Sequence, residues 1–337
     1  MPLDRRAERL LAMLAAVRGD EGARQTPAAR REALLALATS ADDASAAVTV
    51  AEREIEGPAS RLPARLYAPA DAGAEALPAL MFFHGGGWVA GDLSTHDGFC
   101  RRLCVASDWR VIAVDYRRAP EHPFPAAFDD CLAATRWASA RAAALGIDPA
   151  RLAVGGDSVG GGVAAAVALA ARAAGDLPLA LQLLVCPILN VGHAGGSREA
   201  FAEGCFISRA AFTGDLDDYA RGVRADDPRL SPLCAASLAG LPPAVIHTAE
   251  FDPFRDEGEA YAARLERAGV PVRARRHAGM IHYFYALARA IPYAAEAAAL
   301  MGAQMRELVE IGAVGAVDYS RNDPWAMRAA VAPSSGA

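Results

Sequence analysis

The sequence contains no lysine; every basic side chain among its 337 residues is arginine or histidine. That absence removes Schiff-base and pyridoxal-phosphate lysines, the phosphate-cradling lysine of a P-loop, and a serine–lysine hydrolase dyad. A basic run is also missing. The 34 basic residues are outnumbered by 40 acidic ones, the net charge is -6, and the charges are spread along the chain. Nucleic acid and anionic membrane surfaces are therefore disfavoured as partners. No stretch has the length and uniform apolarity of a membrane span. Leu10 to Val17 follows Arg5 and Arg6 as the core of a signal peptide would, but Asp4 and Glu8 interrupt that pattern, and its apolar positions suit one face of an amphipathic helix. The expectation is a cytoplasmic protein. Cysteine is sparse and scattered: Cys100, Cys104, Cys131, Cys186, Cys205 and Cys234 read as reduced core residues. Cys100 and Cys104, one helical turn apart, suit neither a disulfide nor, without further ligands, a zinc site.

What is present is organised around Arg151 to Gly162, RLAVGGDSVGGG. Leu152 to Val154 is a short buried strand, glycines force a sharp turn, and an alanine-rich helix follows from Val159 to Ala174. Gly156-Asp157-Ser158-Val159-Gly160 is G-x-S-x-G, which puts a serine hydroxyl on a strained strand-to-helix corner. Ser158 then opens a helix whose N-terminus favours developing negative charge, and Val159 can offer its N–H to an oxyanion. Gly160-x-Gly162-x-x-Ala165 imitates a dinucleotide fingerprint, but its glycines fall inside the helix, and no acidic residue ends a following strand to hold a ribose. Helix-to-sheet packing explains them better.

In chain order, residues 1–45 predict two helices, Arg5 to Arg18 and Pro27 to Thr39, lying on top of the core with the polar turn Gly19 to Thr26 between them. Val48 to Ile55 and Arg61 to Tyr67 form a strand pair about Gly57-Pro58. Strands at Leu80 to Phe83, Val111 to Asp115, Leu152 to Val154, Leu181 to Val185, Ala244 to Thr248 and Val270 to Arg275 follow. They alternate with helices at Ala126 to Leu145, Val159 to Ala174, Asp256 to Ala268, and Phe284 to Ala290 with more helix to Glu310. The fold class is α/β, a mostly parallel sheet with helices on both faces, spanning 46–311. Residues 190–227 interrupt the alternation with a helix at Arg209 to Arg221 and would join the N-terminal helices as a cap over the strand ends. Residues 312–337 form an extension of unread role.

His84-Gly85-Gly86-Gly87 follows the first buried strand, and its glycine N–H groups, Gly85 and Gly86, can join Val159 in an oxyanion hole. An acid and a base should follow at later strand ends. Asp252 lies just past Ala244 to Glu250; Asp256 suffices as a helix-dipole residue, and Glu250 still belongs to the strand. His247 is inside a strand and His277 ends the next one. His282, in the loop Gly279-Met280-Ile281-His282 beyond it, could swing over to the serine. Zinc through His277 and His282 lacks clustered acidic or cysteine ligands.

HGGGW at 84–88, DYRRAPEHPFP at 115–125, GDSVGG at 156–161, SPL at 231–233, DPFRDEG at 252–258 and GMIH at 279–282 together resemble the bacterial hormone-sensitive-lipase-like esterases over about residues 46–311. The resemblance implies an α/β-hydrolase fold with a helical cap, activity on small-molecule carboxylic esters of short to medium chain, and no metal or organic cofactor. It implies Ser158, Asp252 and His282 as triad, Gly85, Gly86 and Val159 as oxyanion donors, and self-association as a homodimer through the last strand and helix. Three positions depart from the family pattern. Val159 replaces a usual alanine and would crowd the pocket, Arg118 stands where leucine is common, and Tyr283 stands where glycine is usual. An amidase, lactonase or lactam hydrolase would use the same machinery. A ligand-binding protein that had lost catalysis would lack a triad member, and all three are here.

Overall fold

The computed structural model describes residues 2–18, 25–73 and 75–314. Most of the expected turn Gly19 to Thr26, and the chain past Val314, lie outside the described residues. Helices α1 (Arg5–Arg18) and α2 (Pro27–Ala41) come first. Strands β1 (Val48–Glu56), β2 (Arg61–Pro69) and β3 (Leu77–Phe83), helix α3 (Asp97–Ser107), and strand β4 (Arg110–Val114) follow. Next come α4 (Ala126–Ala140), α5 (Ala142–Leu145), β5 (Ile147–Asp157), α6 (Val159–Ala174) and β6 (Leu181–Val185). The chain closes with α7 (Ser197–Ala200), α8 (Arg209–Ala220), β7 (Ala244–Phe251), α9 (Arg255–Arg267), β8 (Val272–Ile281) and α10 (Tyr293–Val314).

The sheet has eight strands in the order β1-β2-β4-β3-β5-β6-β7-β8. β2 runs antiparallel to both β1 and β4, and every pair from β4 onward is parallel. This is the α/β-hydrolase arrangement. Parallel strands are covered on both faces, which is why they read as unbroken apolar runs. Along β3, Met81 and Phe83 enter one core with α6 residues such as Val163 and Val167. Leu80 and Phe82 enter the other with Phe99 and Leu103 of α3 and Met301 and Met305 of α10.

Several elements differ from expectation. The helix foreseen over Ala126 to Leu145 breaks at Arg141, which leaves helical geometry at φ -110° and ψ 18°. β8 runs on to Ile281, so His277 sits within it rather than at its end. The helix foreseen over Phe284 to Ala290 is only a 3-10 turn, Phe284–Ala286, entered through Tyr283 in the left-handed region at φ 67°. α3 was not anticipated. Of the cysteines, Cys100, Cys104, Cys131 and Cys186 are buried, but Cys205 is half-buried and Cys234 exposed.

Candidate active site

β3 and β5 are neighbours, with Phe83 opposite Gly156, so the loop after β3 and the turn after β5 leave the sheet side by side. At that turn Ser158 has φ 54° and ψ -123°, a region costly for a residue with a side chain and one that persists where packing over-determines it. The packing is visible. The Ser158 N–H donates to the Val185 carbonyl at 2.9 Å, and its own carbonyl accepts from Ile188 at 3.0 Å. A Cβ on Gly160 would lie 2.0 Å from the Phe83 carbonyl oxygen, so only glycine lets α6 start this close to β3. Val159 is fully buried in the core below, beside Val154 and Val163. Its side chain does not crowd the cavity.

The loop after β3 is fastened from beneath by Asp157, which is fully buried. One carboxylate oxygen accepts the Gly85 N–H at 2.9 Å. The other accepts the Tyr285 hydroxyl at 2.8 Å and lies 3.2 Å from His96 Nε2. Burial works to raise this carboxyl, and the His96 and Tyr285 contacts outweigh it, holding Asp157 below its ordinary value. The Gly85 N–H is therefore already spent on Asp157 and is not free for a ligand, contrary to its expected role. The next two glycines, Gly86 and Gly87, line the cavity instead. Gly86 reaches that position at φ 115°, where a Cβ would strike the Ala90 carbonyl at 2.4 Å. Arg118 serves the same loop, its guanidinium donating to the Gly91 carbonyl.

The acid and the base come from the other end of the parallel run. β7 and β8 are paired through Phe251 opposite Ile281, and the next residue of each strand is Asp252 and His282. His282 Nδ1 lies 2.8 Å from Asp252 Oδ2, with both side chains buried. Asp252 Oδ1 accepts the Phe254 N–H at 2.7 Å. This fixes both carboxylate oxygens and leaves Nε2 of the ring as the free atom for proton transfer. Cys186, Asp252 and His282 bring donor atoms within 4.8 Å of one another. Burial, and next the neighbouring Asp252 carboxylate, push the Cys186 thiol well up.

The competing residues are occupied elsewhere. Asp256 accepts the Ser197 N–H at 2.7 Å and pairs with Arg255 at 2.8 Å. Glu250 accepts the Gly279 N–H at 2.7 Å. His247 Nδ1 and His277 Nε2 are 2.7 Å apart, flanked by Gln304 at 2.8 Å and Tyr293 at 3.0 Å. Burial depresses His247 to about 4 and His277 to about 2, so both are neutral, and neither lines the cavity.

Ser158 and His282 share a cavity of about 1040 Å³ with Gly86 and Gly87. α1 and α2 contribute Leu10, Leu14 and Leu37 to its walls, and residues 206–218 contribute Phe206 and Phe212. Tyr283 also faces it, anchored by its hydroxyl on the Thr95 carbonyl at 2.9 Å and stacked on Phe206 with centroids 5.5 Å apart. Among the described residues no helix is long and apolar enough to cross a membrane. Sequence reading missed His96 and Tyr285; the Asp157 of the elbow was in view, but these partners come from distant segments without a local signal.

A family model described as the alpha/beta hydrolase fold matches residues 80–286. The carboxylic ester hydrolase LipN of Mycobacterium tuberculosis is 44% identical over 245 residues, covering 70% of this chain and 64% of that relative. The carboxylesterase NlhH of the same species is 42% identical over 240 residues, covering 70% of this chain and 75% of NlhH. The structure of an ester hydrolase from the metagenome of Lake Arreo superposes with a TM-score of 0.87 at 41% identity, over 90% of this chain and 98% of that one. With the elbow, the loop and the acid–base pair at the ends of parallel strands, these likenesses show that the chain belongs to the α/β-hydrolase-fold family, in its hormone-sensitive-lipase-like group of ester hydrolases.

Proposed function

We propose that the chain is a serine carboxylesterase that hydrolyses short- to medium-chain esters through an acyl-enzyme on Ser158. The observation that supports this most is the buried Asp252–His282 pair at 2.8 Å, opening onto the same cavity as Ser158 and the glycine loop. His282 takes the Ser158 proton as Oγ bonds to the ester carbonyl carbon, and Asp252 holds the ring tautomer and stabilises its charge. The oxygen that becomes negative is held by the N–H groups of Gly86, Gly87 and Val159, with Gly87 taking the place first given to Gly85. Breakdown expels the alcohol, which takes its proton from His282. A water then gives its proton to His282 and attacks the acyl carbon; the bond from that carbon to Oγ breaks, Oγ takes the proton back from His282, and the acid leaves free Ser158.

In the same reading, residues 1–45 and 190–227 are the cap, since α1, α2 and the segment 206–218 all face the cavity. The enzyme works in the cytoplasm, where its free thiols would stay reduced, and forms a homodimer through β8, which ends the sheet, and α10. The test is hydrolysis of p-nitrophenyl esters from acetate to dodecanoate by wild type and Ser158→Ala. The expected result is turnover that peaks at the shorter chains and vanishes in the variant. Turnover that survives in Ser158→Ala would overturn the nucleophile, and no turnover on any ester would overturn the substrate class.

A further inference from the structure

Arg198, on the four-residue α7, touches neither Ser158 nor His282, yet it meets two aromatic rings of the cavity wall, one of which packs on His282. Its guanidinium carbon lies 4.4 Å from the ring centre of Phe212 and 4.5 Å from that of Phe254. The two rings meet edge to face at 5.2 Å. Phe212 belongs to α8 and Phe254 to the loop that carries Asp252, and both line the cavity. Phe254 in turn packs its ring against His282 at 5.4 Å while its N–H holds Asp252 at 2.7 Å. The cationic plane therefore ties a cap residue to a residue lodged within the acid–base pair.

The guanidinium is itself held in place. Its Nη2 donates to Glu257 at 2.8 Å and to the Asn190 carbonyl at 3.2 Å. Glu257 also accepts the Asn190 and Leu189 N–H groups, at 2.6 and 3.2 Å. These follow Ile188, another cavity residue. α7 is bolted down a second time, by the Ser197 hydroxyl donating to the Pro253 carbonyl at 3.0 Å. A guanidinium fits this place because its plane lies over both rings while its Nη2 reaches the Glu257 carboxylate; an ammonium offers only a point charge.

We propose that Arg198 is a specificity-determining positioning residue: clamped by Glu257, it presses Phe212 of the cap against Phe254 and so sets the width of the cavity beside His282. The inference rests on the ester-hydrolase reading. It is separable from it, because a wild type inactive on every ester sinks that reading, whereas the outcomes below bear on the clamp alone.

The experiment compares wild type, Arg198→Met, Arg198→Lys and Phe212→Ala on two substrate series, p-nitrophenyl esters of rising acyl length and butyrate esters of rising alcohol length. Methionine keeps the length of the side chain and loses the charge and the hydrogen bond to Glu257. In Arg198→Met the preferred chain length shifts upward in one of the two series. KM for the shortest ester in that series rises about fivefold and its kcat stays within about threefold, as expected where a wall contact and not the reacting atoms has changed. Arg198→Lys, which keeps the charge on Glu257, lies between the two. Phe212→Ala leaves the buried Arg198–Glu257 pair in place and shifts the same series in the same direction. If Arg198→Met does not fold, the lysine and Phe212 variants decide the matter by the same shift. Unmoved length profiles in the folded variants, with only the melting temperature lowered, would overturn the proposal and leave Arg198 a structural tie.

Discussion

β7 and β8 carry two histidine sites of the same residue type on the same pair of strands, with opposite properties. His247 and His277 sit mid-strand, 2.7 Å apart and closed in by Gln304 and Tyr293. His282 sits one residue beyond the strand end, 2.8 Å from a carboxylate and open to the cavity. The first pair has no anion to support a proton and burial drives it neutral. The second has Asp252 to support the imidazolium that proton transfer creates. The difference teaches that position along the strand, more than the residue type, separates a structural histidine from one fit for acid–base work. Between residues 249 and 281 the register shifts, Ala249 facing His277 but Phe251 facing Ile281. The extra residues on β8 bring His282 level with Asp252.

The sharpest test of that contrast is to remove each imidazole in turn. His282→Ala should lower kcat on a short-chain ester by on the order of 10⁶-fold, as loss of a triad member does, while His277→Gln leaves kcat near wild type and lowers stability. Comparable losses in both would break the comparison. One step smaller, Asp252→Asn should lower kcat by about 10⁴-fold by favouring the wrong tautomer, and Asp256→Asn, which only loosens α7 from α9, should cost far less. Asp157→Asn keeps the shape but weakens the fastening of Gly85. Its kcat should fall by about tenfold to a hundredfold, less than the removal of an oxyanion donor outright.

The smallest expected effect is on stability. Because His247 is depressed from 6.5 to about 4 in the folded chain, the unfolded chain binds its proton first as the pH falls. The stabilisation is complete above pH 6.5 and is lost as the pH drops from there toward 4, by about 3 kcal/mol for a fully buried ring. Urea unfolding at pH 7 and pH 5 should show a steeper loss in wild type than in His247→Gln, and equal slopes would mean that the histidine pair is not sealed from protons.

Local sequence determined the elements whose cause is local. The boundaries of α6 were legible because glycine, serine and an alanine run dictate turn and helix within a dozen residues. Strand ends that a parallel sheet exposes on one side narrowed the candidates for acid and base, and the resemblance to the hormone-sensitive-lipase-like esterases singled out Ser158, Asp252 and His282 as the proposed triad. α3 was missed although Phe99, Cys100, Leu103 and Cys104 have its spacing, because only eleven residues carry the pattern; the short turn at Phe284 was not legible, since it is an aromatic run whose helix is pre-empted by Tyr283 at positive φ. Nor could residue type alone assign the loop glycines. Gly85, Gly86 and Gly87 are identical in sequence, and only the folded chain brings the Asp157 carboxylate up to the first, leaving the other two to face the cavity. Tertiary structure likewise decided that the Val159 side chain points into the core, that His247 and His277 seal each other, and that Arg198 finds rings from two separate segments. Each of these depends on contacts between residues far apart in the chain, whose side chains have no common address until the sheet has brought its strand ends together.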